Sequence, residues 1–285
     1  MSPSRPALRY LGGKWKLAPW IIGHFPAHRL YVEPFGGAAS VLLRKPRAFS
    51  EVYNDLDDEV VNLFTVLRGP LAHKLIQAVA LTAYSRTEYE GAFEVTDDPV
   101  EKARRLVVRS FMGHGSNSFN INRVTGFRAA LVNGDRALPA LDWSSLPASL
   151  QQVAERFVGV VIERRPALQV IDRYDVPDCL IYADPPYLHD TRSGKRKGEG
   201  LYCAYVHEMT DADHHALLAR LQACTAMVVL SGYPSDFYRD LLPGWTCLER
   251  GTHADGARDR TEALWINPAC AATFDAGRRQ AELVA

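Results

Sequence analysis

The sequence predicts an α/β fold: a sheet of seven strands, mostly parallel, with helices packed against it. Three observations carry this reading. Several strand-length runs are apolar at consecutive positions, as strands covered on both faces are. Helix-like segments lie between many of these runs. The last two runs alternate more strongly and are joined by the polar, Gly-containing segment GTHADGARDRT, the pattern of an antiparallel hairpin at a sheet edge.

In chain order the expected strands are Leu30–Phe35, Phe49–Asn54, Val158–Glu163, Cys179–Asp184, Met227–Gly232, Trp245–Arg250 and Glu262–Asn267. The gap between the second and third far exceeds the dozen or so residues that a crossover needs. Residues 69–146 therefore read as an inserted, mainly helical module, with helical patterns at Pro70–Tyr84 and Pro99–Phe111 followed by the Gly/Ser/Asn-rich stretch Gly113–Asn122. Residues 1–68 and 147–268, the latter beginning with a helix near Leu150–Phe157, form the sheet domain. Residues 269–285 read as a disordered-looking tail, and Leu188–Gly200, with Arg192, Lys195, Arg196 and Lys197 among glycines, as a mobile loop.

Composition excludes several classes. With 47% hydrophobic and 23% charged residues the chain is neither disordered nor fibrous. Its 33 basic and 33 acidic residues cancel, so attraction to nucleic acid has to be local. No run approaches the roughly 20 apolar residues of a membrane span, and the N-terminus lacks a signal-like stretch; a cytoplasmic protein is expected. The five cysteines contain no C-x-x-C pair and read as free thiols, with no metal site.

Two segments carry chemistry. Tyr31-Val32-Glu33-Pro34-Phe35-Gly36-Gly37-Ala38-Ala39-Ser40 is a strand that ends in small residues and then opens a helix. Small residues let a ligand approach the backbone, and a helix start offers unpaired N–H groups. Eighteen residues past Gly37, Asp55 ends the next strand, where an α/β nucleotide site places the carboxylate that takes ribose hydroxyls. Alone, the glycine pair also fits a tight turn, and Asp55 is one of four acids in DLDDE. The second segment, Asp184-Pro185-Pro186-Tyr187, follows the apolar strand CLIYA, so it stands at the strand end where α/β sheets bind ligands. Proline has no N–H, so this loop presents carbonyls and a carboxylate as acceptors beside an aromatic ring. That set suits a planar group bearing an NH2.

Arg9-Tyr10-Leu11-Gly12-Gly13-Lys14, the Val32-Glu33-Pro34-Phe35-Gly36-Gly37 strand end, Asp55 and Asp184-Pro185-Pro186-Tyr187, in that order, resemble the DNA adenine N6-methyltransferases of the D12, Dam-like class. The resemblance covers nearly the whole chain. D-P-P-Y marks amino-methylating enzymes broadly, and the preceding G-G-K narrows the match to this class. The resemblance implies a Rossmann-like methyltransferase sheet, S-adenosylmethionine as cofactor, double-stranded DNA as partner and a target-recognition role for the inserted module. Tyr10 and Lys14 would line the cofactor pocket, Pro34, Phe35, Gly36 and Gly37 would hold the methionine moiety, and Asp55 the ribose. Asp184, also facing the cofactor, and the Pro185 carbonyl would hold the hydrogens of adenine N6, with Pro186 completing the loop and Tyr187 stacking on a flipped-out base. One departure is visible: the class usually carries F-x-G-x-G, whereas Phe35-Gly36-Gly37-Ala38-Ala39 has alanine at the last glycine. Alanine suits that position if it is helical and not if φ is positive.

Local charge is informative where the total is not. Residues 101–136 carry seven basic residues, Arg109, Arg123 and Arg128 among them, against Glu101 and Asp135, and residues 1–20 carry four with no acid. Such patches suit phosphate contact. Arg109, Asn117, Arg123, Arg128, Lys195 and Arg196 are the candidates for DNA contact, with Asn117, Arg123 and Arg128 able to read base edges and a solvated helix face as the alternative for some of the arginines. Tyr202 and Tyr205 could steer the base or simply pack, and Ser231-Gly232-Tyr233 reaches the same crevice edge. His214 and His215 read as helix residues behind a Thr210–Asp213 capping box. Alternatives are methylation of cytosine N4, which Asp rather than Ser at 184 disfavours, a non-catalytic nucleic-acid-binding module on the same fold, and protein amide methylation. No nuclease or helicase motif is evident, which favours a stand-alone modifying enzyme of bacterial or phage origin; the sequence does not reveal a partner restriction endonuclease, and a restriction-modification role stays open.

Overall fold

The computed structural model describes residues 3–129, 138–187, 207–253 and 259–284. Seven strands form where the apolar runs predict them: β1 (Leu30–Glu33), β2 (Ser50–Asn54), β3 (Val160–Glu163), β4 (Cys179–Ala183), β5 (Met227–Gly232), β6 (Thr246–His253) and β7 (Asp259–Ile266). They make one sheet in the order β3-β2-β1-β4-β5-β7-β6. The first five are parallel, and the β6–β7 hairpin runs antiparallel with β7 against β5. The order reverses between β1 and β4, so the ends of these two adjacent strands border the crevice that such a reversal opens.

The period-2 alternation of strands divides the buried residues into two layers. Tyr31, Tyr53, Leu180, Val229 and Leu264 point to one face, and Val32, Val52, Ile181, Val228 and Trp265 to the other. On the first face lie α1 (Ala18–Ile22), α2 (Ser40–Arg44), α3 (Asp58–Arg68), α4 (Ala72–Leu81), α5 (Arg86–Gly91), α6 (Pro99–Met112), α7 (Pro139–Ser144) and α8 (Leu146–Arg156). The second face is covered by α9 (Ala167–Tyr174), α10 (Asp211–Gln222) and α11 (Asp236–Leu241). Leu75, Val79, Tyr89 and Leu106, all inside 69–146, belong to the same buried cluster as Leu42 and Tyr53, so these helices share a continuous core with the sheet.

Local signals explain the helix starts. Asp57 caps α3, accepting from the N–H groups of Glu59 and Val60, and Thr210 and Asp213 form the expected capping box of α10. His214 is fully buried in that helix, against the Tyr238 hydroxyl at 3.1 Å. The segment read as a disordered-looking tail is instead α12 (Pro268–Val284). Asn267 nucleates it, since its Oδ1 accepts from Cys270 N and Val228 N, both at 2.9 Å, and Pro268 follows at a position where a missing N–H costs nothing.

Candidate active site

The turn after β1 is built from the residues singled out in the sequence. Gly37 N donates to Asp55 Oδ2 at 2.7 Å, Gly36 N to the Asn54 carbonyl at 2.7 Å, and the Tyr53 hydroxyl to the Gly37 carbonyl at 2.7 Å. Both glycines are required by contact. A Cβ on Gly36 would lie 2.2 Å from Cε2 of the buried Tyr53 ring. Gly37 has φ +47°, and its Cβ would lie 2.9 Å from Cε1 of Tyr10. The Tyr10 ring in turn stacks on Phe119, with centroids 4.3 Å apart. Ala39, one step before α2, has φ 54° and ψ 31°. The final glycine of the expected pattern is therefore replaced where the backbone is left-handed, a conformation that costs an L-residue about 1–2 kcal/mol.

Tyr10, Lys14, Pro34, Phe35, Gly36, Gly37, Asp55, Asp184 and Pro186 line one crevice. The structure thus brings every expected cofactor residue together at the ends of β1, β2 and β4. It adds Glu33, Leu56, Asp57, Tyr182, His207 and Met209 to the same walls. Lys14 is nearly buried and lies 3.0 Å from Asp184 Oδ1, with its Nζ also donating to the Gly12 carbonyl at 2.9 Å and sitting 4.7 Å from the centre of the Tyr187 ring. It therefore belongs to the D-P-P-Y loop as much as to the crevice. Tyr187 is only 9% exposed; its hydroxyl donates to Glu262 Oε2 at 2.8 Å and its ring meets Tyr233 edge-on at 4.6 Å. Ser231 is buried and hydrogen-bonded to Tyr182 at 2.8 Å, beneath the crevice rather than open to it.

Carboxylates dominate the electrostatics. Burial pushes Asp55 up to about 6, opposed by the N–H groups of Asp57 and Gly37. Burial pushes Glu33 up to about 8, opposed by the Tyr31 hydroxyl at 2.5 Å and the Leu42 N–H at 2.8 Å. Asp184 is raised by burial and held down by Lys14. Lys14 is the one lysine or arginine among the residues lining this crevice, against Asp55, Asp57, Asp184 and Glu208, while Glu33, raised to about 8, is mostly protonated near neutral pH. The cleft accordingly suits a ligand that is cationic and rich in donors. Among the described residues no cluster of ligands could hold a metal, and no helix is long and apolar enough to cross a membrane.

The DNA-facing expectations need correction. Arg109 is fully buried: Nη2 lies 2.6 Å from both Glu59 oxygens, Nη1 donates to the Ala92 carbonyl at 2.6 Å and Nε to the Phe119 carbonyl at 3.0 Å. A charge on an amphipathic helix reads as solvated until its face is known, and this one faces inward. Asn117 is also buried, 8% exposed, with both amide atoms lacking a hydrogen-bond partner, so it is not presented to a groove. Arg123 and Arg128 are half-buried on the loop after α6, which a bridge between Gly113 and Phe127 closes. Lys195, Arg196, Tyr202 and Tyr205 lie outside the described residues.

Sequence reasoning gave no individual role to Glu33, Tyr53, Phe119 or Glu262. A carboxylate inside the apolar run LYVEPF was a usable signal for Glu33. Glu262 had none, since it reaches Tyr187 only through the pairing of β5 with β7.

A model of the family described as D12 class N6 adenine-specific DNA methyltransferase matches residues 10–246. A search of curated proteins gives no match. Solved structures that match include an Escherichia coli protein carrying the name methyltransferase yhhF, 9% identical, with 88% of this chain and 82% of that chain covered and a TM-score of 0.34.

Proposed function

The chain belongs to the D12 class N6 adenine-specific DNA methyltransferase family, whose members methylate adenine in DNA, and from that premise we propose that its crevice binds S-adenosylmethionine and that Asp184-Pro185-Pro186-Tyr187 receives an adenine flipped out of duplex DNA at a specific site. The observation that carries this reading is the junction of the two sequence signals: Asp184 lines the same crevice as the Gly36-Gly37 turn and is held there by Lys14.

The donor set fits the cofactor. A sulfonium and an ammonium are cations, which suits a cleft lined by Asp55, Asp57 and Asp184, and Pro34, Phe35, Leu56 and Met209 offer apolar surface for a nucleobase. Asp55 would accept ribose hydroxyls, and the Pro34–Gly37 turn would hold the methionine moiety. The bound sulfonium supplies an already activated methyl group.

The protein's own task is to prepare the amine. The N6 lone pair is delocalised into the adenine ring and attacks poorly while the group stays planar. Asp184 and the Pro185 carbonyl accept its two hydrogens and favour the pyramidal nitrogen that attacks. Pro185 and Pro186 keep that edge free of competing N–H donors. Because burial raises its proton affinity, Asp184 is also suited to take the proton that the methylated nitrogen sheds. Tyr187 supplies the stacking surface that offsets the loss of base stacking in the duplex. The half-buried Arg123 and Arg128 face phosphate or bases from the 69–146 module.

The Asp184→Ala protein tests this assignment. Methyl transfer to DNA is expected to vanish while DNA binding remains; retained transfer contradicts the role given to Asp184.

A further inference from the structure

We propose that Glu262 is the positioning residue for the Tyr187 ring, a role that rests on the reading of Asp184–Tyr187 as the adenine site. Glu262 lies beyond the segment that the family match covers. It stands on β7, whose antiparallel register with β5 pairs Gly232 with Ala263, so Glu262 lies beside the end of β5. From there its Oε2 accepts the Tyr187 hydroxyl at 2.8 Å.

The need for such a residue follows from the loop. Two prolines fix the backbone ahead of Tyr187 but leave its side-chain torsions free. A stacking ring has to be held within small limits of its productive plane, and each immobilised rotamer costs binding free energy if it is not preset. Three contacts preset this one: the Tyr233 edge at 4.6 Å, the Lys14 ammonium at 4.7 Å and the Glu262 carboxylate. The last grips the far end of the ring, at its hydroxyl, where leverage over its plane is greatest.

Glu262 also competes with Asp184 for the phenolic proton. The Tyr187 hydroxyl is within reach of Asp184 as well. A proton given to Asp184 would consume an acceptor that the amine requires. The 2.8 Å bond to Glu262 draws that hydroxyl away from Asp184, whose other partner is Lys14 at 3.0 Å.

The test uses the full chain with a duplex carrying 2-aminopurine at the target position, read by fluorescence, together with methyl-transfer kinetics and direct titration of S-adenosylmethionine. Glu262→Ala is expected to lower kcat/KM for DNA by about ten- to a hundred-fold, the scale of a misplaced reactive group. Cofactor affinity should stay within about twofold, because the lost interaction is not made to the cofactor. Glu262→Gln, which keeps an acceptor oxygen, should restore most of the activity. In a Tyr187→Phe background, Glu262→Ala should add less than about twofold, since the bond is already gone. Losses that multiply in the double variant, a Gln variant as poor as the Ala variant, or a parallel loss of cofactor affinity would each overturn the proposal. If Glu262→Ala does not fold, Tyr187→Phe decides: a loss of DNA kcat/KM at unchanged cofactor affinity supports it, and full activity overturns it. A parent protein that binds cofactor but methylates no DNA overturns the underlying reading instead, and does so before any variant is made.

Discussion

Replacing Gly36 by alanine should cost far more than the loss of one glycine suggests. The added Cβ would lie 2.2, 2.5 and 2.9 Å from Cε2, Cδ2 and Cζ of Tyr53. That ring has nowhere to go: it is fully buried, with Phe64 at 4.9 Å and Phe157 at 5.6 Å between centroids. Overpacking of a filled core costs about 1–3 kcal/mol. If the ring shifts, its hydroxyl leaves the Gly37 carbonyl now at 2.7 Å, and a stranded buried polar group adds about 1–3 kcal/mol. The sum is about 2–6 kcal/mol, which at roughly 2–4 °C per kcal/mol lowers the melting temperature by on the order of 10 °C. Thermal melting by circular dichroism reads this directly, and S-adenosylmethionine titration should show weakened binding, because the same turn presents Gly37 N to Asp55. The cause is isolated by Tyr53→Val, which removes the ring: in that background Gly36→Ala should cost less than about 1 kcal/mol. A Gly36→Ala protein that melts within about 2 °C of the parent would refute the reasoning.

Other consequences can be checked in parallel. Lys14→Met removes the cation that holds down the proton affinity of Asp184, so the acid limb of the kcat–pH profile should move to higher pH; an unmoved limb contradicts the ion pair's role. Asp55, pushed up to about 6, holds a proton in the folded chain that the unfolded chain has released, so its contribution to stability is full below its ordinary pKa and lost as pH rises through about 6. Cofactor affinity should run the other way, falling toward tenfold per pH unit below about 6, because the ribose contact proposed for Asp55 needs the ionised carboxylate. Asp55→Asn should abolish that slope in a titration series. Arg109→Met leaves Glu59 without its bidentate partner and should cost about 3–5 kcal/mol in a denaturant melt, with the salt dependence of DNA binding unchanged. Arg123→Ala and Arg128→Ala should each make that dependence shallower by about one contact.

Much of the sheet was legible because its signal is local. CLIYA and MVVLSG are apolar at every or nearly every position, and each became a strand buried throughout. The crevice was legible for a similar reason: small residues after β1 and prolines after β4 announce strand ends where a ligand can approach. What escaped depends on which way a side chain faces. Arg109 looked like one more basic residue of α6, yet it points at Glu59 across the α3–α6 contact. Asn117 sits in a polar loop and is buried all the same. Glu262 joins the site through strand pairing, which no spacing along the chain encodes. Ala39 could be flagged in sequence but not resolved, since only the backbone shows that its φ is positive.

The central claim is met most directly by incubating the purified protein with unmethylated duplex DNA and isotopically labelled S-adenosylmethionine, then digesting the DNA to nucleosides for mass spectrometry. Labelled N6-methyladenine, confined to a defined sequence when modified positions are mapped, is the expected result. Labelled N4-methylcytosine would contradict the assigned acceptor while keeping the loop chemistry, and cofactor binding with no label in DNA would contradict the account at its root.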